Sequence, residues 1–128
     1  MTMKFEFLEA GSADCPLIRI YGGDAELHAR LKNVFEQLAE GAIDEACLTD
    51  LPGAEPVDSC VLIARIGKRD QGVVRRKGNT FEWVLTRSTW DNVSGLIEPF
   101  CVAECGGFQW LDQVPASDAR VLISAFGC

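Results

Sequence analysis

The chain has little of what most catalytic machinery needs. It carries one histidine, His28, no run of about eighteen apolar residues and no apolar stretch near its start. With a single histidine, Ser/His or Cys/His chemistry has to run through His28, and the sequence marks no partner for it. A lone histidine beside Leu27 in a helical pattern reads first as a helix-boundary residue. The missing apolar run predicts no membrane-spanning helix. Positions 1–8 alternate charge with apolar character and lack the core of an export signal, so the expected location is cytoplasmic. Gly22-Gly23 before Asp24 has neither the glycine spacing nor the lysine of a phosphate loop, and an acid at a helix start repels phosphate. Repeats and low-complexity tracts are also absent.

Six cysteines are present, at 15, 47, 60, 101, 105 and 128. Without an export signal they are expected to be reduced thiols rather than a disulfide framework. Cys101 and Cys105 would share a face if a helix continued through them, but no second Cys/His pair has matching spacing, so neither a metal nor a cofactor is expected. The acids Glu98 and Glu104, or Asp91 and Asp112, have no spacing that demands a catalytic pair.

What is present is apolar content and acidity. The chain has 128 residues, 48% hydrophobic and 24% charged, which suits one domain over 1–128 with a core that needs no metal or disulfide. The net charge of -7 is uneven. Residues 1–64 hold four basic against twelve acidic residues, 65–87 seven against two, and 88–128 one against five. An acidic body repels nucleic acid and anionic membrane and draws basic partners inward. The basic island, with Phe81 and Trp83 near it, hints at RNA binding, yet those aromatics alternate with Leu85 on one strand face and read as core.

Hydrophobic periodicity places the elements. Residues 4–9 and 16–21 read as a strand pair. Asp24 is a helix N-cap, and Leu27, Leu31, Val34, Phe35 and Leu38 form one apolar stripe that Gly41 ends. Residues 42–58 read as an irregular acidic loop, with one helical turn near 44–47. Residues 60–66, 73–76 and 80–86 read as three strands linked by tight turns, an antiparallel meander. Ser88 with Asp91 resembles a capping box opening a short helix through Trp90, Val93, Ile97 and Phe100, weakened by Gly95 and Pro99. Residues 108–112 and 120–126 read as final strands. The order ββαβββ(α)ββ predicts α+β: an antiparallel sheet of about six to seven strands with one long and one short helix packed on it.

Three tryptophans in such a chain invite an interface reading beside the default of core packing. In the C-terminal third, Trp90-Asp91-Asn92-Val93, Glu98-Pro99-Phe100, Gly107-Phe108-Gln109-Trp110-Leu111 and Val121-Leu122-Ile123-Ser124 with Gly127 resemble small bacterial immunity proteins of polymorphic toxin systems. Such proteins often close with a short apolar strand, a serine and a glycine. The resemblance implies a small α+β protein that binds and blocks a cognate toxin, often an acidic protein against a basic nuclease. The basic island departs from a uniformly acidic inhibitor and leaves the binding face open. The expectation is therefore a non-enzymatic, cytoplasmic protein-binding domain with a protein partner, for which the resemblance implies a basic toxin domain. Its contact residues are expected to be Asp44, Glu45 and Asp50 in the acidic loop, with Trp90, Asp91 and Trp110. The alternatives are a small-molecule-binding or enzymatic domain working from a cleft between sheet and helices, and a homo-oligomer such as a homodimer.

Overall fold

The computed structural model describes residues 2–10, 16–101, 108–112, 114 and 117–124. The turn at 11–14, Cys15, Glu104, Cys105, Gly106-Gly107, Gln113, Pro115-Ala116 and the segment 125–128 with Gly127 and Cys128 lie outside the described residues.

Strands β1 (Met3–Leu8) and β2 (Leu17–Gly22) form the expected antiparallel pair, with Phe5 opposite Ile20 and Glu6 opposite Arg19. Alternation sends Met3, Phe5, Ile18 and Ile20 into the core. The chain leaves β2 through Gly22 and Gly23 at φ 77° and 82°, where a side chain would be strained. Helix α1 (Ala25–Glu40) then starts as the sequence predicts: the Asp24 carboxylate accepts from the Leu27 N–H at 2.9 Å. It ends at Gly41 with φ 76°, and it buries the expected apolar stripe together with His28.

Residues 42–58 are more ordered than the expected loop. They form β3 (Glu45–Cys47), a 3-10 turn (Leu48–Asp50) and β4 (Ala54–Pro56). The helical turn therefore falls after the predicted one, because Ala46 and Cys47 pair with the strand that follows. The remaining elements are β5 (Val61–Ile66), β6 (Gly72–Arg75), β7 (Thr80–Leu85), α2 (Arg87–Ile97), a 3-10 turn (Glu98–Cys101), β8 (Phe108–Asp112) and β9 (Arg120–Ser124).

The fold is α+β, with two α-helices and nine strands among the described residues. The expected single antiparallel sheet is corrected to two mixed sheets, one ordered β4-β1-β2-β9-β8 and the other β3-β5-β7-β6. The predicted meander is half right. Strand β6 pairs antiparallel with β7, but β5 pairs parallel with β7 on its other side. Burial explains the order: β5 and β7 bring Leu62, Ala64, Phe81, Trp83 and Leu85 to the core and take the centre, while β6 ends in arginine and takes an edge. Strands β1 and β4, and β2 and β9, are also parallel neighbours. Proline at Pro56 is tolerated because β4 is an edge strand.

Helix α2 is capped two residues earlier than expected. Thr86, not Ser88, accepts from the Thr89 N–H. Asp70 arrives from the turn before β6 and accepts from the Thr86 N–H at 2.8 Å and the Thr89 hydroxyl at 2.7 Å. That outside carboxylate makes Thr86 the first turn's anchor and leaves Asp91 exposed. Arg87 donates to the Ala39 and Glu40 carbonyls and so closes the end of α1 against the start of α2.

The core centres on three rings. Trp90 stacks on Phe35 with centroids 5.4 Å apart, and Trp83 meets Trp90 edge-on at 4.8 Å. The Trp90 indole donates to the Arg65 carbonyl at 3.1 Å. The Trp83 indole donates to the Asp112 carboxylate at 2.8 Å, joining β7 of one sheet to β8 of the other. Phe7 against Phe81 at 4.7 Å and a bridge between Val73 and Ala119 join the sheets elsewhere. Replacing Trp90 with alanine should cost about 3–5 kcal/mol of unfolding free energy, read from the urea midpoint at constant slope.

Candidate functional site

The six residues expected at a contact surface do not form one site. Trp90 is fully buried between Phe35 and Trp83, so its role as a contact residue is corrected: α2 turns its apolar stripe inward and Trp90 leads that stripe. Glu45 points outward from β3 but is held at home by Arg65, 3.2 Å away. Arg65 also pairs with Glu82 at 2.9 Å, and Arg76 meets Glu82 at 3.1 Å, giving a ladder of alternating charge across the four-stranded sheet. Asp44, Asp50 and Asp91 are exposed and form no ion pair with a described residue. Asp44 sits beside the end of β5, where its carbonyl accepts from the Ile66 N–H. Trp110 lies elsewhere, half-buried on β8.

Around Trp110 the strand registers assemble a surface. Trp110 is opposite Leu122, and Leu122 is opposite Arg19; Phe108 is opposite Ser124, and Ser124 is opposite Tyr21. All six share the outer face of the five-stranded sheet, because their neighbours Ile18, Ile20, Val121, Ile123 and Leu111 fill the inner one. Phe108 is 65% exposed, the largest exposure of a big apolar side chain among the described residues. The Arg19 guanidinium lies over the Tyr21 ring at 4.2 Å. The sequence reading missed Tyr21, Phe108, Leu122 and Arg19. For Arg19, Tyr21 and Leu122 the signal was available in period two, because the alternate positions Ile18, Ile20, Val121 and Ile123 are apolar; on β8 the alternate Gln109 blurs it for Phe108.

Charges on this face are matched. Lys4 lies 3.9 Å from Glu55, and Glu6 stands opposite Arg19. In the basic island, by contrast, four of the seven cations are engaged within the fold. Arg65 and Arg76 serve the ladder, and Arg87 closes α1. Arg75 donates to the Gly78 carbonyl at 2.7 Å and lies over the Phe7 ring at 4.7 Å.

Two surface clefts accompany this arrangement. One of about 510 Å³ is lined by Phe7, Glu9, Pro16, Arg75 and Asp118. Its two acids are engaged, Asp118 with the Arg75 N–H at 2.8 Å and Glu9 with the Arg75 guanidinium at 3.8 Å. The other, about 440 Å³, is lined by Arg69, Asp70, Gln71 and Val74. Neither is lined by His28 or Cys101. Burial pushes the Cys60 thiol up to about 11, with the Glu6 charge adding to it, and burial also raises the Cys101 thiol. Both are thereby kept from the reactive thiolate form. Among the described residues no group of three His, Cys, Asp or Glu side chains is placed to hold a metal ion. No helix among them is long and apolar enough to cross a membrane.

Two carboxylates carry opposite electrostatic signatures. Burial raises Asp112 above the usual carboxylate range, against the lowering effect of the Val114 N–H and Trp83 indole bonds, and the nearby Asp70 charge raises it further. The charge it feels is Asp70; its own oxygens turn to Trp83 and Val114. Glu82 is held below its usual value, chiefly by the Arg76 hydrogen bond and then, against partial burial, by the charges of Arg76 and Arg65.

Comparison of the chain with protein-family models, with curated proteins and with solved structures returned no match.

The two shifts have opposite consequences for stability. Glu82 is depressed, so its contribution is complete above the ordinary glutamate range and is lost as pH falls through its lowered value. Asp112 is raised, so its contribution is complete below the ordinary aspartate range and is lost as pH rises through its elevated value. Urea midpoints measured from about pH 3 to about pH 7 should show a shallower acid-side loss for Glu82→Gln. In the same series Asp112→Asn should lack the decline that the wild type shows above the ordinary aspartate range.

Proposed function

We propose that this chain is a non-enzymatic protein-binding domain that takes a net-basic protein partner, in the manner of an immunity protein that blocks a toxin. The observation that carries the reading is the outer face of the five-stranded sheet, where Tyr21, Phe108, Trp110 and Leu122 lie side by side with Arg19. Aromatic residues and arginine around an apolar centre are the composition of interface hot spots. Local charge there is balanced, as a desolvated contact requires, and Arg65, Arg75, Arg76 and Arg87 of the basic island are each engaged by an acid or a carbonyl.

The charge of the whole chain supplies the partner's sign. A net charge of -7 accelerates encounter with a basic protein and slows encounter with a second acidic copy. Asp44, Asp50 and Asp91 contribute without internal ion pairs, whereas Glu45 is committed to Arg65. Steering is therefore tested at Asp44 and Asp50, leaving the ladder intact.

The experiment is affinity capture from the native host, with each recovered partner re-measured against variants. Phe108→Ala and Trp110→Ala, checked for unchanged unfolding midpoints, should each weaken the partner by about 2 kcal/mol, roughly thirtyfold. Asp44→Lys with Asp50→Lys should slow association severalfold at low salt and leave dissociation unchanged. A bound toxin should arrest growth when expressed alone and be relieved by co-expression of this chain. Equal binding by the aromatic variants removes the sheet face from the reading, an acidic partner removes the steering argument, and a nuclease-sensitive partner replaces protein binding with nucleic-acid binding.

A further inference from the structure

His28 is 4% exposed, and both ring nitrogens face main-chain carbonyls. Nδ1 lies 2.9 Å from the Phe100 oxygen and Nε2 lies 3.1 Å from the Gly22 oxygen. A ring with one proton donates to one of these and turns a lone pair toward the other; a ring with two protons donates to both. The carbonyls belong to different parts of the fold. Gly22 ends β2 and is fixed by pairing with Met3. Phe100 belongs to the short 3-10 turn that follows α2, and its ring meets His28 edge-on at 5.9 Å.

The surrounding charges are accounted for by neighbouring groups. On α1, Asp24 is committed to the Leu27 N–H and Lys32 to Glu36, 3.3 Å away. On the turn, Glu98 is exposed, and Cys101 lies where the charges of Lys32, Glu98 and Glu36 act on it. On β2, Arg19 is held over Tyr21. No carboxylate among the described residues is hydrogen-bonded to the ring, so the two carbonyls are its partners.

We infer that His28 is a protonation-dependent tether: with two protons it binds α1 both to the end of β2 and to the turn after α2, and with one proton it releases the turn. The turn is the end that lets go because Gly22 is locked into the β1–β2 ladder, whereas Phe100 sits in a four-residue 3-10 segment and is only half-buried. The tether is set by the number of protons on the ring, whether or not the sheet face binds a partner.

Because His28 is the sole histidine, its ring signals in a ¹⁵N-labelled sample need no assignment by mutation. Across a pH series, the ring form with two protons should show N–H signals at both nitrogens. The form with one proton should carry it on Nε2, donated to the Gly22 carbonyl, and leave Nδ1 bare. The amide of Cys101 and the ring signals of Phe100 should shift on that same titration curve while the Gly22 amide stays still. In His28→Gln the Phe100 and Cys101 signals should not move over the range; if that variant fails to fold, the wild-type titration alone decides. A single tautomer throughout, or a titrating ring with flat Phe100 and Cys101 signals, overturns the tether.

Discussion

An indole buried in a protein interior has one N–H that must find an acceptor, and here the acceptor comes from the other sheet. Trp83 on β7 donates to Asp112 on β8, a side-chain bond between two buried groups. The bond sets how the two sheets face one another. Trp83 is thereby oriented to meet Phe35 and Trp90, and Trp90 in turn fixes α2 against α1. The carboxyl is pushed up by the burial this requires and accepts the Val114 N–H with its second oxygen, so each of its oxygens has a hydrogen-bond partner. Gly72 belongs to the same arrangement: at φ 74° a side chain there would strain the backbone and press within 3.3 Å of the Asp112 carboxylate.

That inner economy leaves the surface divided. Most cations are matched to nearby acids or carbonyls, through the Glu45, Arg65, Glu82 and Arg76 ladder, through Arg87 at the end of α1 and through Arg75 at the seam between sheets. The acids Asp44, Asp50 and Asp91 form no ion pair among the described residues and add to the long-range field. The aromatic face has little net charge and much contact area. Under the proposed reading, field and contact are carried by different residues.

The readable parts of the sequence were those decided by neighbours within one turn or one strand. Helix α1, its Asp24 cap and its Gly41 stop follow from side-chain oxygens and glycine conformations acting over three or four residues. The β1–β2 and β6–β7 pairs follow from short connections between alternating strands. The α2 cap was misread by two residues because its stabilising carboxylate, Asp70, comes from far along the chain. Trp90 was misassigned because a tryptophan beside polar residues looks the same in sequence whether its helix turns it inward or outward. The aromatic face escaped notice because its three strands are contributed by both ends of the described chain.

The sequence by itself determined the α+β class, the main helix, the apolar stripes and the sign of the net charge, because each depends on residue type and local spacing. The parallel pairing of β5 with β7 and of β2 with β9, the division into two sheets, the burial of Trp90 and the gathering of Tyr21, Phe108, Trp110 and Leu122 were decided only in the tertiary structure. Each of those is a contact between distant segments, and its register is chosen by which packing buries the most apolar surface while leaving no buried polar atom unpaired.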